Sequence, residues 1–245
     1  MVRKVAQRFI ISGSTGPLPG DHRAERFGLP EWGTDSRILG MRNNAILAIA
    51  SDKNGDLVKP PIRISDYEMT VAKGEDGRKD ISEMVYHRFH GRYIKPFLYD
   101  EMRFQDHYNN GFSIMASCCL LIEALESFRN GWEKTQDRGK EVFDSFFQRE
   151  AKREPGFKGF RGQTFYPHVR CGILHQGETT GGFILSKTGA VFDSGSRKIN
   201  ARKFLTLMET SLAAYTNELL TAKWDSEIWD NFRRKMRFII GNCEP

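Results

Sequence analysis

The run from Phe112 to Phe128 leaves this chain the fewest choices. Ile114, Met115, Cys118, Leu121, Ile122, Leu125 and Phe128 recur at three- and four-residue steps, which gathers them into one broad apolar stripe on a helix. A stripe of that width has to be covered, so the segment is predicted to be the core helix of the fold. Other segments repeat the same period. Met84, Val85, Phe89, Tyr93, Phe97 and Met102 predict a helix from Ile81 to about Asn109, kinked or split at Pro96. Val142, Phe143, Phe146 and Phe147 predict a helix from Gly139 to Ala151. Asn200 is placed to cap a helix through Leu220, with Phe204, Met208, Leu212, Tyr215 and Leu219 inward, and a last helix starts near Asp225 with Ile228, Phe232 and Ile239.

Two regions break the helical pattern. Residues 1–80 are rich in turn signals such as Gly13-Ser14-Thr15-Gly16-Pro17, Asn54-Gly55-Asp56 and Pro60-Pro61, and read as an extension of mixed structure ahead of a helical domain over 81–245. The apolar pieces Phe9-Ile10-Ile11 and Ala45 to Ala50 are read as strands or single helical turns. No Gly-Lys-Ser/Thr follows the glycines at 13–20, so this is an ordinary loop rather than a phosphate loop. Phe183 to Lys187 and Ala190 to Asp193 flank Thr188-Gly189 and predict a β-hairpin. The expectation is a mainly α protein with a small hairpin insertion.

With 245 residues, such a chain can bury roughly 70 to 75% of its unfolded surface without staples. Its four cysteines, two of them adjacent at 118 and 119, have no zinc-site spacing and read as reduced core residues. A reducing cytoplasm fits this usage. The first residues lack the apolar segment of a signal peptide, and the apolar run from Ile114 to Leu125 is short for a bilayer, so no membrane is expected. With 37 basic against 31 acidic residues the net charge is +6, which favours an anionic partner. Arg149, Lys152, Arg153, Lys158 and Arg161, interleaved with Phe157 and Phe160, are candidate RNA-binding residues, because basic groups hold a backbone while aromatics stack its bases. Arg233, Arg234, Lys235 and Arg237 form a second basic patch. His87 and His90 lie three apart and could in principle share a metal, but they read as solvated histidines and no metal site is expected.

Chemistry concentrates in Phe165 to Gly177. Pro167 suits the first turn of a short helix and Gly177 the left-handed residue that ends one. Val169, Ile173 and Leu174 supply an apolar face, which leaves Arg170, His175 and Gln176 as polar groups in need of a reason. A buried arginine needs a carboxylate, and Glu123 or Glu126 on the core helix is placed to supply it. Arg170 and His175, five apart, differ by about 140° and roughly 7.5 Å along an ideal helix. A site using both is therefore completed at a helix end, by bending near Gly172, or by a second copy of the chain.

Histidine can move a proton near neutral pH, and arginine can hold phosphate oxygens through two parallel hydrogen bonds. The sequence has no carboxylate cluster of the magnesium-nuclease kind, which points to attack by a ribose 2′-hydroxyl without metal or other cofactor. His168 is a second proton carrier or a first-turn surface residue. Cys171 and His175, four apart, lack a third metal ligand.

Arg170-Cys171-Gly172-Ile173-Leu174-His175 resembles the Arg-x4–6-His signature of the HEPN superfamily (higher eukaryotes and prokaryotes nucleotide-binding), and the helical region 81–240 is similar to its α-helical bundle. The resemblance implies a homodimer with two such motifs facing each other across a cleft. It further implies a metal-independent endoribonuclease of the toxin, phage-defence or RNA-processing kind, restrained by an antitoxin or regulatory protein. Arg170 and His175 would be its catalytic residues, with Glu123, Glu126, Gln176 and His168 in support. A non-catalytic RNA- or nucleotide-binding module is the alternative, and so is a structural helical assembly in which Arg170 only stabilises a dimer.

Overall fold

The structure is a computed structural model that describes residues 44–52, 54–98 and 110–243. The Phe9 to Ile11 run, the Gly13 to Gly20 loop and Met102 lie outside the described residues. In chain order the elements are β1 (Ile46–Ala48), β2 (Ile62–Arg63), α1 (Ile64–Ala72), α2 (Arg78–Phe89), α3 (Lys95–Leu98), α4 (Gly111–Asn130), α5 (Gly139–Arg153), α6 (Gly162–Phe165), α7 (Cys171–Gln176), β3 (Ile184–Ser186), β4 (Phe192–Asp193), β5 (Lys198–Asn200), α8 (Ala201–Thr221) and α9 (Glu227–Gly241). The protein is mainly helical, as the sequence periodicity requires.

Helix α4 is the axis of the bundle. It packs against α5, α8 and α9, and α8 packs in turn against α2. Ile114, Met115, Cys118, Leu121 and Ile122 lose all contact with solvent, each such aliphatic burial being worth about 1.5–3 kcal/mol. By length and composition α4 is also apolar enough to cross a membrane, but here its neighbours cover most of it. Asn200 caps α8 as expected, its side chain accepting from the Lys203 N–H at 3.1 Å.

The described part of the N-terminal region joins this core. Leu47 on β1 and Ile64 and Tyr67 on α1 belong to the same apolar cluster as the helices, and Tyr67 meets Phe232 of α9 edge-on with centroids 6.3 Å apart. A thin layer of mixed α and β structure is thus applied to the helical bundle.

A knot of phenylalanines joins α5, α8 and the small sheet. Phe147 lies within 5.0–6.4 Å, centroid to centroid, of Phe143, Phe146, Phe157, Phe160, Phe165 and Phe204. Phe157 and Phe160 are therefore interior and do not offer faces to bases. The expected hairpin is corrected as well. The runs at 184–186 and 192–193 do not pair with each other; β5 lies between them, parallel to β3 and antiparallel to β4. Ile199 on β5 is fully buried and joins the apolar core through a face of this small sheet.

Two helices widen locally into π-helical turns, His90–Ile94 and Tyr166–Arg170. Each lies beside a proline, Pro96 after the first and Pro167 inside the second. Proline has no N–H and its ring collides with the carbonyl a turn earlier, and a widened turn accommodates both defects without ending the helix. The break expected at Pro96 thus appears one turn ahead of it, as the change of winding at 90–94.

Candidate functional site

The central helix is longer than its proline suggested. It starts at Gly162, runs through the π-helical turn and continues as α7 to Gln176. Pro167 is therefore internal rather than at the first position. The turn closes through the Cys171 N–H on the Tyr166 carbonyl. At the far end Gly177 adopts φ 70° and terminates α7, a conformation that costs glycine little.

Of the two glutamates on α4, Glu123 meets Arg170. The Arg170 Nε donates to Glu123 Oε1 at 2.7 Å and Nη2 to Oε2 at 3.4 Å. The Thr135 hydroxyl donates to the same Oε2 at 3.3 Å. Both members of the pair are largely buried, with side chains 19% and 16% exposed. Burial works against the charged guanidinium, but the hydrogen bond and charge of Glu123, helped by Tyr166 and Cys171, hold its pKa above the ordinary arginine range. The guanidinium also lies 5.5 Å from the centre of the Tyr166 ring. Burial raises the pKa of the Tyr166 phenol, and the Cys171 thiol adds to the effect.

This pair forms one wall of an open groove of about 580 Å³, which Lys134, Thr135, Gln136, Gly139, Tyr166 and Lys235 also line. Gly139 makes room for it. A Cβ at that position would fall 2.0 Å from the Tyr166 Cζ, so a side chain there displaces the ring. Lys235 brings the second basic patch to the groove, donating to the Glu133 carbonyl at 2.8 Å. Burial lowers its pKa, Glu133 opposes the shift and Arg88 adds to it.

The other sequence candidates are dispersed. His175 and Gln176 are exposed at the end of α7 and do not line the groove. His168 turns the other way, its Nδ1 3.0 Å from the Thr180 hydroxyl and its ring 6.2 Å from Phe183. Glu126, 1% exposed, pairs with Arg149 and not with Arg170. Arg149 also contacts Glu150 at 3.0 Å, so its charge is spent inside the protein, whereas Arg153 pairs with Glu218 at 2.8 Å on the surface. Lys152, Arg153, Lys158 and Arg161 are exposed, Arg153 in its surface pair with Glu218. Among the described residues no group of histidine, cysteine and acidic side chains could hold a metal ion.

Sequence reading missed Tyr166, Thr135 and Gly139. Tyr166 carried a signal, since an aromatic four residues before an arginine shares its helix face. Thr135 and Gly139 carried none, because they reach the groove only through the fold of the α4–α5 connection. Comparison of the chain with family models, with curated proteins and with solved structures returned no match.

Proposed function

We propose that the chain is a metal-independent endoribonuclease of the HEPN kind that works as a cytoplasmic homodimer in phage defence, a toxin–antitoxin pair or RNA processing. The observation that carries this reading is the Arg170–Glu123 pair on the wall of an open polar groove, with His175 about 1.4 turns further along the same helix. Glu123 occupies the Nε–Nη2 edge of the guanidinium, fixing its plane and leaving Nη1 to face a phosphate oxygen. Two copies of the chain would bring two histidines to one RNA strand. One takes the proton of the ribose 2′-hydroxyl, whose oxygen attacks the adjacent phosphorus, and the other gives a proton to the departing 5′-oxygen. The products are a 2′,3′-cyclic phosphate and a 5′-hydroxyl, and Arg170 neutralises the charge that builds on the phosphoryl oxygens. The exposed Lys152, Lys158 and Arg161 are then available to the flanking backbone.

A specific observation favours a second reading, an RNA- or nucleotide-binding module without cleavage. Within one chain His175 lies outside the groove that Arg170 lines. One experiment separates the two. RNA is incubated with wild type, Arg170→Ala and His175→Ala in excess chelator, and cyclic-phosphate ends are counted. The nuclease predicts cleavage by wild type and a fall of about 10²–10³-fold or more in each variant. Equal cleavage by all three removes the proposal. RNA binding that is lost in Arg170→Ala, with no cleavage by any form, establishes the binding module.

A further inference from the structure

A second concavity lies between β1 with its adjoining loop and the helix face that runs from α2 through the π-helical turn into α3. It encloses about 730 Å³, within the range of roughly 300–1,000 Å³ seen for small-molecule sites. Arg88, Arg92 and Lys95 all line the cavity from this side, with His87 beside them. Facing them are Ile46 and Ile49, which remain 40% and 45% exposed. Among the described residues no aspartate or glutamate lines the cavity.

Among the described residues no carboxylate pairs with Arg88, Arg92 or Lys95. Arg88 donates through Nη1 to the Leu47 carbonyl at 2.7 Å, while its buried Nε has no hydrogen-bond partner among the described residues. Burial pulls its pKa down to about 10, and Arg92 adds to the shift against smaller opposing effects of Tyr93 and Cys243. Lys95 reaches the neutral hydroxyl of Ser51. Glu83, one turn before His87, is held by Lys59 at 2.6 Å. Arg129, Arg149, Arg153 and Arg170, in contrast, each face a glutamate. A desolvated cation without a counter-charge is unfavourable, and an anionic ligand relieves it.

We propose that this pocket binds a phosphate-bearing small molecule of nucleotide size, with the phosphate on Arg88, Arg92 and Lys95 and a flat or apolar portion against Ile46 and Ile49. Arginine forks match phosphate oxygens, and the short basic wall, bounded on the other side by β1, suits a compact ligand better than a long strand. The site is separate from the Arg170 groove and does not depend on its function.

The test is calorimetric titration of the full chain with the four ribonucleoside 5′-diphosphates, the parent nucleosides, inorganic phosphate and a short oligoribonucleotide. At least one diphosphate is expected to bind, with its nucleoside and inorganic phosphate each at least tenfold weaker. The double variant Arg92→Gln/Lys95→Gln should weaken that binding tenfold or more while its ligand-free melting temperature stays close to wild type. Arg88→Gln should weaken it too, and Arg170→Ala should not. The proposal is overturned if no diphosphate binds or if inorganic phosphate binds as tightly as the best diphosphate. Wild-type affinity in the double variant, loss of binding in Arg170→Ala, or binding of the oligoribonucleotide alone would also overturn it.

Discussion

Replacing Arg149 by methionine should cost the protein far more than its position in a basic run suggests. Two carboxylates, Glu126 and Glu150, are withdrawn from water with side chains only 1% and 3% exposed, and the Arg149 guanidinium lies between them. Removing the cation strands both, and breaking a buried pair in this way costs about 3–5 kcal/mol. Arg153, 3.8 Å from Glu150, and the Ser211 hydroxyl, which donates to Glu150 at 3.0 Å, retain part of the compensation for one carboxylate. Glu126 Oε2 already has no partner among the described residues, so it keeps none of that relief. For a chain of this length the loss corresponds to a melting temperature lower by roughly 6–20 °C. Thermal unfolding monitored by circular dichroism measures it directly. Two comparisons sharpen the result. Lys152→Ala, at an exposed neighbouring position, should stay within about 0.5 kcal/mol of wild type. The triple variant Arg149→Met/Glu126→Gln/Glu150→Gln, which removes the charges together, should recover most of the loss. An Arg149→Met protein melting within about 2 °C of wild type would refute the reasoning. So would a Lys152→Ala protein that loses as much. Any fall in RNA binding caused by an Arg149 variant must accordingly be separated from loss of fold.

The same contacts make other perturbations informative. Gly139→Ala places a Cβ 2.0 Å from the Tyr166 Cζ and should cost about 1–3 kcal/mol in chemical denaturation; it should also impair whatever the groove binds, because the ring must leave its place beside Arg170. A variant as stable and as active as wild type would contradict that packing. The two histidines of α2 and its π-helical turn should make stability depend on pH. Burial lowers the pKa of His87, with Lys59 and His90 adding to the shift and Glu83 opposing it. Burial likewise lowers that of His90 against the pull of Glu209, with Lys95 adding. The folded state thus takes up protons less readily than the unfolded chain, whose histidines titrate near pH 6.5. Above that pH both forms are neutral and nothing changes. As pH falls through 6.5 toward the lower folded values, stability should drop, and His87→Gln/His90→Gln should flatten the slope in denaturant titrations between about pH 7 and 5. An unchanged slope would remove these residues as its source.

The sequence made the helices legible wherever an apolar period persisted for several turns. Helix α4 could be drawn from its stripe, and α8 from its stripe together with the Asn200 cap. Strands of two or three residues are too short to carry a period, so the central place of β5 could not be read. At the site, the need of Arg170 for a carboxylate was readable, but the choice of Glu123 over Glu126 was not. Those residues lie on adjacent parts of one helix, and only the approach of α5 commits Glu126 to Arg149. Positive charge was visible in the basic run, but its direction was not, since an arginine just after two buried phenylalanines can turn inward as well as outward. The Arg88, Arg92 and Lys95 group went unnoticed for a related reason. It shares its helix with the apolar series Val85, Phe89 and Tyr93, and that series alone was sufficient to identify the helix.

The π-helical turns at 90–94 and 166–170 give the chain a means of variation that an unbroken helix lacks. A π turn amounts to one residue inserted into an α-helix. Removing a single residue from 166–170 would turn the bond from the Cys171 N–H to the Tyr166 carbonyl into an ordinary α-helical one, so the stretch downstream, His175 included, would keep its orientation. Elsewhere in these helices a one-residue gap would drag apolar side chains out of the core. At these two places the turn itself absorbs the loss, and the next stretch of helix, Lys95 and α3 in one case and α7 in the other, keeps its face. Descendants of this chain should therefore gain and lose single residues at these turns more readily than elsewhere in these helices, while the packed interior is inherited unchanged.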